Sequence, residues 1–145
     1  MEKWNQSYGF LLGKVLQQME TKFAEGLVPY AINARQYGVL LFINGNPYSS
    51  QKDISENLQI DRTTMVSHID HLEALGFVER TRNPNDRRSY SLLVTSKGNE
   101  VLDSRWDFLI NTELDVLAPL SDQEKQLLKD FLVKIWSSLY NWRVS

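Results

Sequence analysis

Helix-start signals recur at short intervals through the middle of the chain. Asn33, Ser50 and Asp61 each have a side chain that can accept a hydrogen bond from the first turn of a helix. Asp53 follows Ser50 by three residues, as in a capping box, and Gly76 suits the position just after a helix end. We therefore expect short, closely connected helices between residues 33 and 76, as in a helix-turn-helix.

Two short extended segments follow these helices. Residues 77–82 and 89–94 have the composition of strands, and the sequence Asn83-Pro84-Asn85-Asp86 between them has strong turn chemistry. The sequence predicts a β-hairpin directly after the helix-turn-helix.

Apolar residues spaced three and four apart predict longer helices at both ends of the chain. The first covers residues 4–23 and ends near Gly26; the fifth starts at Thr95, and a Ser121–Glu124 capping box opens the sixth. The predicted fold class is mainly α with a small β-hairpin, in the order four helices, hairpin, two helices. No repeat or Gly/Pro-rich linker divides the 145 residues, so we expect a single domain.

Composition excludes several classes of protein. With no cysteine there is no disulfide framework, thiolate metal site or cysteine nucleophile. No apolar stretch approaches the roughly 20 residues of a membrane helix, and the first residues lack the pattern of a secretion signal. We expect a soluble, cytoplasmic protein without a membrane partner.

Motifs for catalysis are missing from the sequence. It contains no glycine-rich phosphate loop, no Gly-x-Ser-x-Gly elbow and no defensible acid/base pair of carboxylates. His68 and His71 have a spacing compatible with two metal ligands, but no acidic or cysteine partner is obvious beside them. We expect no enzyme activity, no metal and no cofactor.

Charge is unevenly distributed along the chain. The net charge is -2, which by itself argues against a nucleic-acid partner. Residues 62–97, however, hold six Lys/Arg against four Asp/Glu, whereas residues 100–124 hold seven acids and one arginine. The middle of the chain is therefore modestly basic and the predicted C-terminal helices are acidic.

The helix after Asp61 has a polar face opposite its predicted buried positions Met65, Ile69 and Leu72. This face carries Thr64, Ser67, His68 and His71. Small hydrogen-bonding residues near a helix N-terminus suit the DNA major groove. An ordinary solvated surface helix has the same polar pattern, and for His71 both base or phosphate contact and plain solvent exposure are open.

The predicted hairpin tip concentrates arginines. Residues 80–88 contain Arg80, Arg82, Arg87 and Arg88 but only one acid, Asp86, and the narrow minor groove of DNA favours an inserted guanidinium. Asp86 could hold Arg88 in an extended conformation through a charge-assisted hydrogen bond. The alternative is a solvated hairpin with a local ion pair.

The chain resembles the MarR family of bacterial transcription regulators. The resemblance rests on the order of elements, on Asp86-Arg87-Arg88, on the Leu-x-Val-Thr-x-x-Gly run at residues 92–98, and on the Ser-Gln-Lys-Asp-Ile run that opens the third helix. It implies a winged helix-turn-helix at about residues 33–98 and dimerisation helices at about 1–30 and 100–145. It further implies that Arg88 enters the minor groove, that Asp86 supports it, and that the helix from residue 62 to 71 contacts the major groove.

The resemblance also implies which residues bind DNA and how the protein acts. The candidate DNA-binding residues are Arg62, Thr63, Thr64, Ser67, His68 and His71 on the helix, with Arg82, Asp86, Arg87 and Arg88 on the wing. The expected protein is a homodimeric repressor on a pseudo-palindromic operator in double-stranded DNA. A small aromatic ligand is a possible effector, and the residues considered for its cleft are equally explained as core: Tyr8, Leu11, Leu12, Tyr37 and Trp106. The alternative function is a winged-helix module that binds protein instead of DNA.

Overall fold

The computed structural model describes residues 2–83 and 86–139, with side chains throughout except at residues 83 and 86–89. The helices in these ranges are α1 Tyr8–Leu27, α2 Ala34–Gly45, α3 Gln51–Leu58, α4 Arg62–Ala74, α5 Ser96–Val116 and α6 Asp122–Leu139. The strands are β1 Val78–Asn83 and β2 Asp86–Val94, which pair antiparallel. The predicted fold class and the order of four helices, hairpin and two helices are confirmed.

The first helix begins later than the sequence predicted. Lys3–Gln6 form a separate 3-10 turn, and α1 starts at Tyr8 because the Ser7 hydroxyl caps it by accepting the backbone N–H of Phe10 at 3.2 Å. The apolar spacing continues through this break, so periodicity alone could not locate it. At its other end α1 passes into the 3-10 turn Val28–Tyr30.

Helix starts in the middle of the chain use the predicted caps. Asn33 and Gln36 each accept the other's backbone N–H through their side chains, in a full capping box. The Ser50 hydroxyl and the Asp61 carboxylate each accept the backbone N–H three residues later, both at 3.0 Å. Gly76 follows α4 with a φ of 80°, which a residue with a Cβ rarely adopts.

The hairpin is held beside α3. Tyr48 donates its backbone N–H to the carbonyl of Leu92 at 3.0 Å, and the N–H of Leu92 bonds the carbonyl of Ser49 at 2.9 Å. The segment before α3 thereby adds a short edge to the two-stranded sheet, at the bridge between Ser50 and Ser91. This places the hairpin as the wing of a helix-turn-helix. We call α2, α3, α4 and the hairpin the winged region.

The core lies mainly within the winged region. Its fully buried apolar residues come from every element: Leu40, Ile43, Ile54, Met65, Ile69, Leu72 and Leu92. Met65, Ile69 and Leu72 are the positions that the sequence predicted to face inward from α4. The winged region therefore supplies most of a single core, which Phe23 and Leu27 of α1 and Val101 and Leu102 of α5 complete.

The other helices, α1, α5 and α6, form what we call the arm. Near its C-terminal end α1 packs against α5, where Phe23 and Phe108 stack with ring centroids 6.1 Å apart. Among the described residues of α6 none is buried. Exposed apolar residues spaced three and four apart form one face of α6: Leu127, Phe131, Leu132, Ile135 and Leu139.

Candidate nucleic-acid interface

Helix α4 presents a polar face to solvent along its first two turns. Thr63 and Ser67 lie one turn apart and are exposed, on the side opposite the buried Met65 and Ile69. The predicted residues Arg62 and Thr64 are also exposed. Small side chains at this helix start leave the backbone open to a close approach by a ligand.

His71 lies on a flank of α4 that packs against the end of α1. Its Nε2 lies 2.6 Å from the carbonyl oxygen of Ala31, so this nitrogen carries a proton and donates it. Ala31 adopts a left-handed conformation, with a φ of 58°, which directs the chain from α1 towards α2. His71 is therefore half-buried and ties α4 to the junction between the arm and the winged region.

His68 is held on the same flank by the capping box of α2. The Oε1 of Gln36 already accepts the N–H of Asn33, which turns the amide nitrogen of Gln36 towards the Nδ1 of His68, 3.5 Å away. Burial lowers the pKa of His68 below its ordinary 6.5, and the nearby charges of Arg35 and His71 lower it further. The neutral ring is the form that this environment favours.

Arg80 belongs to the opposite flank of α4. Its guanidinium lies 2.6 Å from the Asp70 carboxylate and 3.5 Å from that of Glu73, and its side chain is only 23% exposed. The interpretation that grouped Arg80 with free arginines at the hairpin tip is corrected, because β1 turns this side chain back onto α4. Its role is to fix the wing against the helix.

An open groove of about 850 Å³ lies between the N-terminal ends of α3 and α4 and strand β2. We call it the α3–α4 groove. Gln51 and Lys52 line it from α3, Arg62 and Val66 from α4, and Tyr90 from β2. Only Arg62 among these residues was a candidate binding residue in the sequence; Gln51 and Lys52 belong to the Ser-Gln-Lys-Asp-Ile run that opens the third helix. The caps at Ser50 and Asp61 marked the two helix starts beside the groove, but Val66 and Tyr90 had no local signal, because only the fold brings α4 and β2 together.

Two carboxylates also line the α3–α4 groove, and both have local partners. Glu56 lies 4.0 Å from the Lys52 ammonium, in a solvent-exposed pair. Asp61 caps α4, and its hydrogen bonds with Thr64 lower the pKa of the carboxyl. These two acids balance the two cations that line the groove, Lys52 and Arg62, but Arg62 has no acid among the ion pairs of the described residues.

The wing carries the remaining predicted residues. Arg82 is exposed on β1 and pairs in register with Tyr90, and the register shifts between Arg82 and Asn83 as the strand approaches the turn. Asp86, Arg87 and Arg88 lie in β2, but their side chains are outside the described part of the structure. Their assigned roles stay predictions.

The Thr-x-x-Gly run fastens the wing to α5. Thr95 accepts the N–H of Gly98 at 3.1 Å to cap α5 and donates its hydroxyl to the carbonyl of Gly76 at 2.6 Å. A Cβ at Gly98 would overlap the carbonyl oxygen of Phe77. The ammonium of Lys97 bonds the carbonyl of Leu75 at 2.9 Å, at the end of α4. This motif therefore positions the wing and does not itself form part of the polar face.

The sequence profile described as the MarR family matches residues 32–89, which span α2 to β2. The chain is 32% identical over 135 residues to the HTH-type transcriptional regulator BilQ of Clostridioides difficile (strain CD3), covering 88% of this chain and 87% of the relative. The chain belongs to the MarR family. The HTH-type transcriptional regulator PecS of Dickeya dadantii (strain 3937) is 31% identical over 117 residues, which cover 79% of this chain and 70% of PecS.

Solved MarR-family structures share the fold. A crystal structure of MarR superposes with a TM-score of 0.85 at 22% identity, covering 92% of this chain and 90% of that one. The transcriptional repressor CouR bound to a 23-mer DNA duplex gives a TM-score of 0.82 at 29% identity, covering 93% and 96%. The chain is thus a MarR-family transcription regulator with a winged helix-turn-helix, and the relatives named here are regulators and not enzymes.

The residues considered for a ligand cleft of this MarR-family chain do not line either cavity described here. Tyr37 is buried in the core, where its hydroxyl donates to the carbonyl of Leu102 at 2.9 Å and burial raises its pKa to about 12. Tyr8, by contrast, is 86% exposed. A second cavity, of about 450 Å³, lies between the 3-10 turn that follows α1, the residues just after α4, and α5, and is lined by Tyr30, Phe77 and Lys97 among others. We call it the junction cavity.

Two further searches of the described residues concern metal sites and membrane spans. Within residues 2–83 and 86–139, no group of three or more His, Asp or Glu side chains is arranged to hold a metal ion. In the same ranges no helix is both long and apolar enough to cross a membrane.

Proposed function

We propose that this chain is a homodimeric, sequence-specific DNA-binding repressor. Its operator is pseudo-palindromic, with half-sites about one helical turn (roughly 10 bp) apart. The observation that carries the proposal is the exposed start of α4, where Thr63 and Ser67 lie on the same helix as Arg62, which lines the α3–α4 groove. The resemblance to CouR, which is a repressor bound to DNA, supports repression as the mode of action.

The first half of α4 is the proposed major-groove element. Thr63, Thr64 and Ser67 offer hydroxyl groups on short side chains, and Arg62 suits a phosphate or a guanine edge. Lys52 at the start of α3 adds a phosphate contact. His68 stands at the margin of this surface, and we leave His71 out of it because Ala31 already occupies its Nε2.

The wing supplies the proposed minor-groove contact. Arg82 is exposed on β1, and strand β2 continues the hairpin through Asp86, Arg87 and Arg88. We propose that Arg88 enters the minor groove with Asp86 as its support. Arg80 has no such role, because Asp70 and Glu73 hold it against α4.

A second copy of the chain is the proposed partner of the arm. The apolar face of α6 contains Phe131, Ile135 and Leu139, each more than half exposed. An apolar face of this length in water is unfavourable, and burying it against the same face of another copy removes that cost. Two α4 helices would then meet two half-sites at once.

The junction cavity is the proposed site for a small effector. The junction cavity touches Leu75 at the end of α4 and Val101 on α5, so an occupant there would contact both the winged region and the arm. Its volume of about 450 Å³ suits a small aromatic molecule. Stabilisation of the protein by such molecules in a thermal melt, together with release of bound DNA, would support this part.

Selection of bound duplexes from a random pool tests the central proposal. We expect one pseudo-palindromic motif to be enriched, and the affinity for it to fall steeply as salt rises. Failure to enrich any motif, with salt-independent binding to a protein partner, would instead favour the interaction module.

Arg88 provides the residue-level test. Arg88→Ala is expected to keep the fold and the dimer while weakening operator binding at least tenfold, on the order of 1.4 kcal/mol. Lys22→Ala, which removes an exposed cation from α1, is the matched control and should leave affinity near the wild-type value. Equal affinities for both variants in a gel-shift titration would reject the minor-groove assignment.

A further inference from the structure

Val66 is an apolar residue on the face of α4 that is otherwise polar. It is 37% exposed and lies one residue before Ser67 and three after Thr63. In the described part of the winged region, the other large hydrophobic side chains with comparable exposure are Tyr48 and Tyr90. Val66 therefore stands within the surface proposed to meet the edges of the bases.

Val66 is not isolated on this surface. It lines the α3–α4 groove together with Ile60, which is half-buried, and Tyr90, which is 46% exposed. The remaining groove residues are polar or charged, and Lys52 and Arg62 among them can pair with a phosphate backbone. Three apolar side chains in such a groove indicate that one part of the partner is apolar as well.

Valine is not a favourable residue for the surface of a helix. Its β-branched side chain lowers helix propensity compared with alanine, and Val66 is not part of the buried core that Met65 and Ile69 join. The chain covers much of Val66, and the 37% that stays exposed is open to contact with a ligand.

We propose that Val66 contacts the 5-methyl group of a thymine in each half-site. The inference rests on the proposed function and specifies it further. Thymine carries the apolar group that the major-groove edge of DNA offers, and cytosine lacks it. The hydroxyls of Thr63 and Ser67 supply hydrogen bonds beside it, so hydrogen bonding and methyl contact together would distinguish thymine from cytosine at one position.

Replacing single thymines of the selected operator by deoxyuridine tests the contact, because this exchange removes only the methyl group. We expect one symmetric position at which the exchange weakens wild-type binding roughly threefold to tenfold, from the loss of methyl burial in both half-sites. Val66→Ala should bind the thymine and uridine operators with equal affinity. Thr63→Ala is the matched control on the same face and should keep the wild-type sensitivity to the methyl group.

The outcomes separate this inference from the proposed function. A specific operator to which Val66→Ala keeps the full methyl sensitivity would overturn the role of Val66 and leave the repressor proposal intact. The same holds if no thymine exchange affects the wild type, or if the half-sites contain no thymine. Absence of any sequence-specific binding overturns both proposals. A thermal melt of Val66→Ala verifies that the variant is folded in each case.

Discussion

The winged region and the arm differ in how far they bury their apolar side chains. In the winged region, helices of 8 to 13 residues bury their apolar positions against one another and the hairpin, as Ile54, Met65 and Leu92 illustrate with no exposed surface. In the arm, the 18 described residues of α6 bury none of theirs. The shorter elements thus bury their apolar positions within the chain, whereas the apolar face of the longer helix α6 stays exposed in the single chain.

Helix length is therefore a poor guide to how much of a helix is buried within this chain. Short helices are marginal alone, so the winged region depends on its caps and on its shared core. A long amphipathic helix without a buried face depends on association, which links its stability to protein concentration. Substitutions in both regions test this difference between the winged region and the arm.

Ile135→Glu should have the largest effect. A charge in the middle of the apolar face of α6 opposes association, and loss of bivalent binding lowers affinity for a two-half-site operator on the order of a hundredfold. Analytical ultracentrifugation and a binding titration measure the two losses. Val133→Glu, on the opposite side of the same helix, is the control and should remain dimeric. If both variants are monomers, the apolar face of α6 is not the only part of the helix that association requires.

Gly98→Ala tests the attachment of the wing to α5. The added Cβ would overlap the carbonyl oxygen of Phe77, so we expect the free energy of unfolding to fall by about 1–3 kcal/mol. Gly38→Ala in α2 meets no atom within 4 Å and should instead raise it by about 0.5–1 kcal/mol. Urea denaturation compares the two, and a neutral Gly98→Ala would refute the tight contact.

Arg80→Met and Arg82→Met separate structure from binding within one strand. Arg80 pairs with Asp70 and Glu73, so its loss should lower the free energy of unfolding by about 1 kcal/mol or less, since both acids are largely exposed. Arg82 is exposed, and its loss should leave stability unchanged but reduce the salt dependence of DNA binding by about one counterion. The reverse pattern would exchange the two roles.

His68 should give the smallest effect. Because the pKa of His68 is lowered in the folded state, the unfolded chain binds a proton more readily once the pH falls below the ordinary value of 6.5. Stability should therefore decrease between about pH 7.5 and 5.5, and less so in His68→Gln. Thermal melts across this range measure the difference. Identical pH profiles would show that the neutral ring is not required.

Features that depend on neighbouring residues were predictable from the sequence. The caps at Asn33, Ser50, Asp61, Thr95 and Ser121 are all confirmed by hydrogen bonds to the N–H three residues later. Each joins a short side chain to the backbone within one turn, so a local pattern is enough to identify it. The same holds for Gly76 at the end of α4.

Features that depend on distant partners were not predictable. His71 bonds Ala31, forty residues away, and Arg80 pairs with Asp70 on another element. Helical periodicity gave α4 a polar face but could not show that α2 and the hairpin cover its two flanks, which shifts the exposed strip to Thr63 and Ser67. Such contacts depend on how the fold brings distant segments together, and the spacing of residues along one helix gives no information about that.

Helix α5 is a long, continuous link between the wing and the arm. Its 21 residues run from the cap at Thr95, beneath the wing, into the arm, a length of about 31 Å at 1.5 Å per residue. A tilt of about ten degrees around its arm end would move the wing by roughly 5 Å, more than the rise of about 3.4 Å between base pairs. In the proposed dimer, small adjustments where two arms join would therefore change which half-site spacing the pair of wings can span.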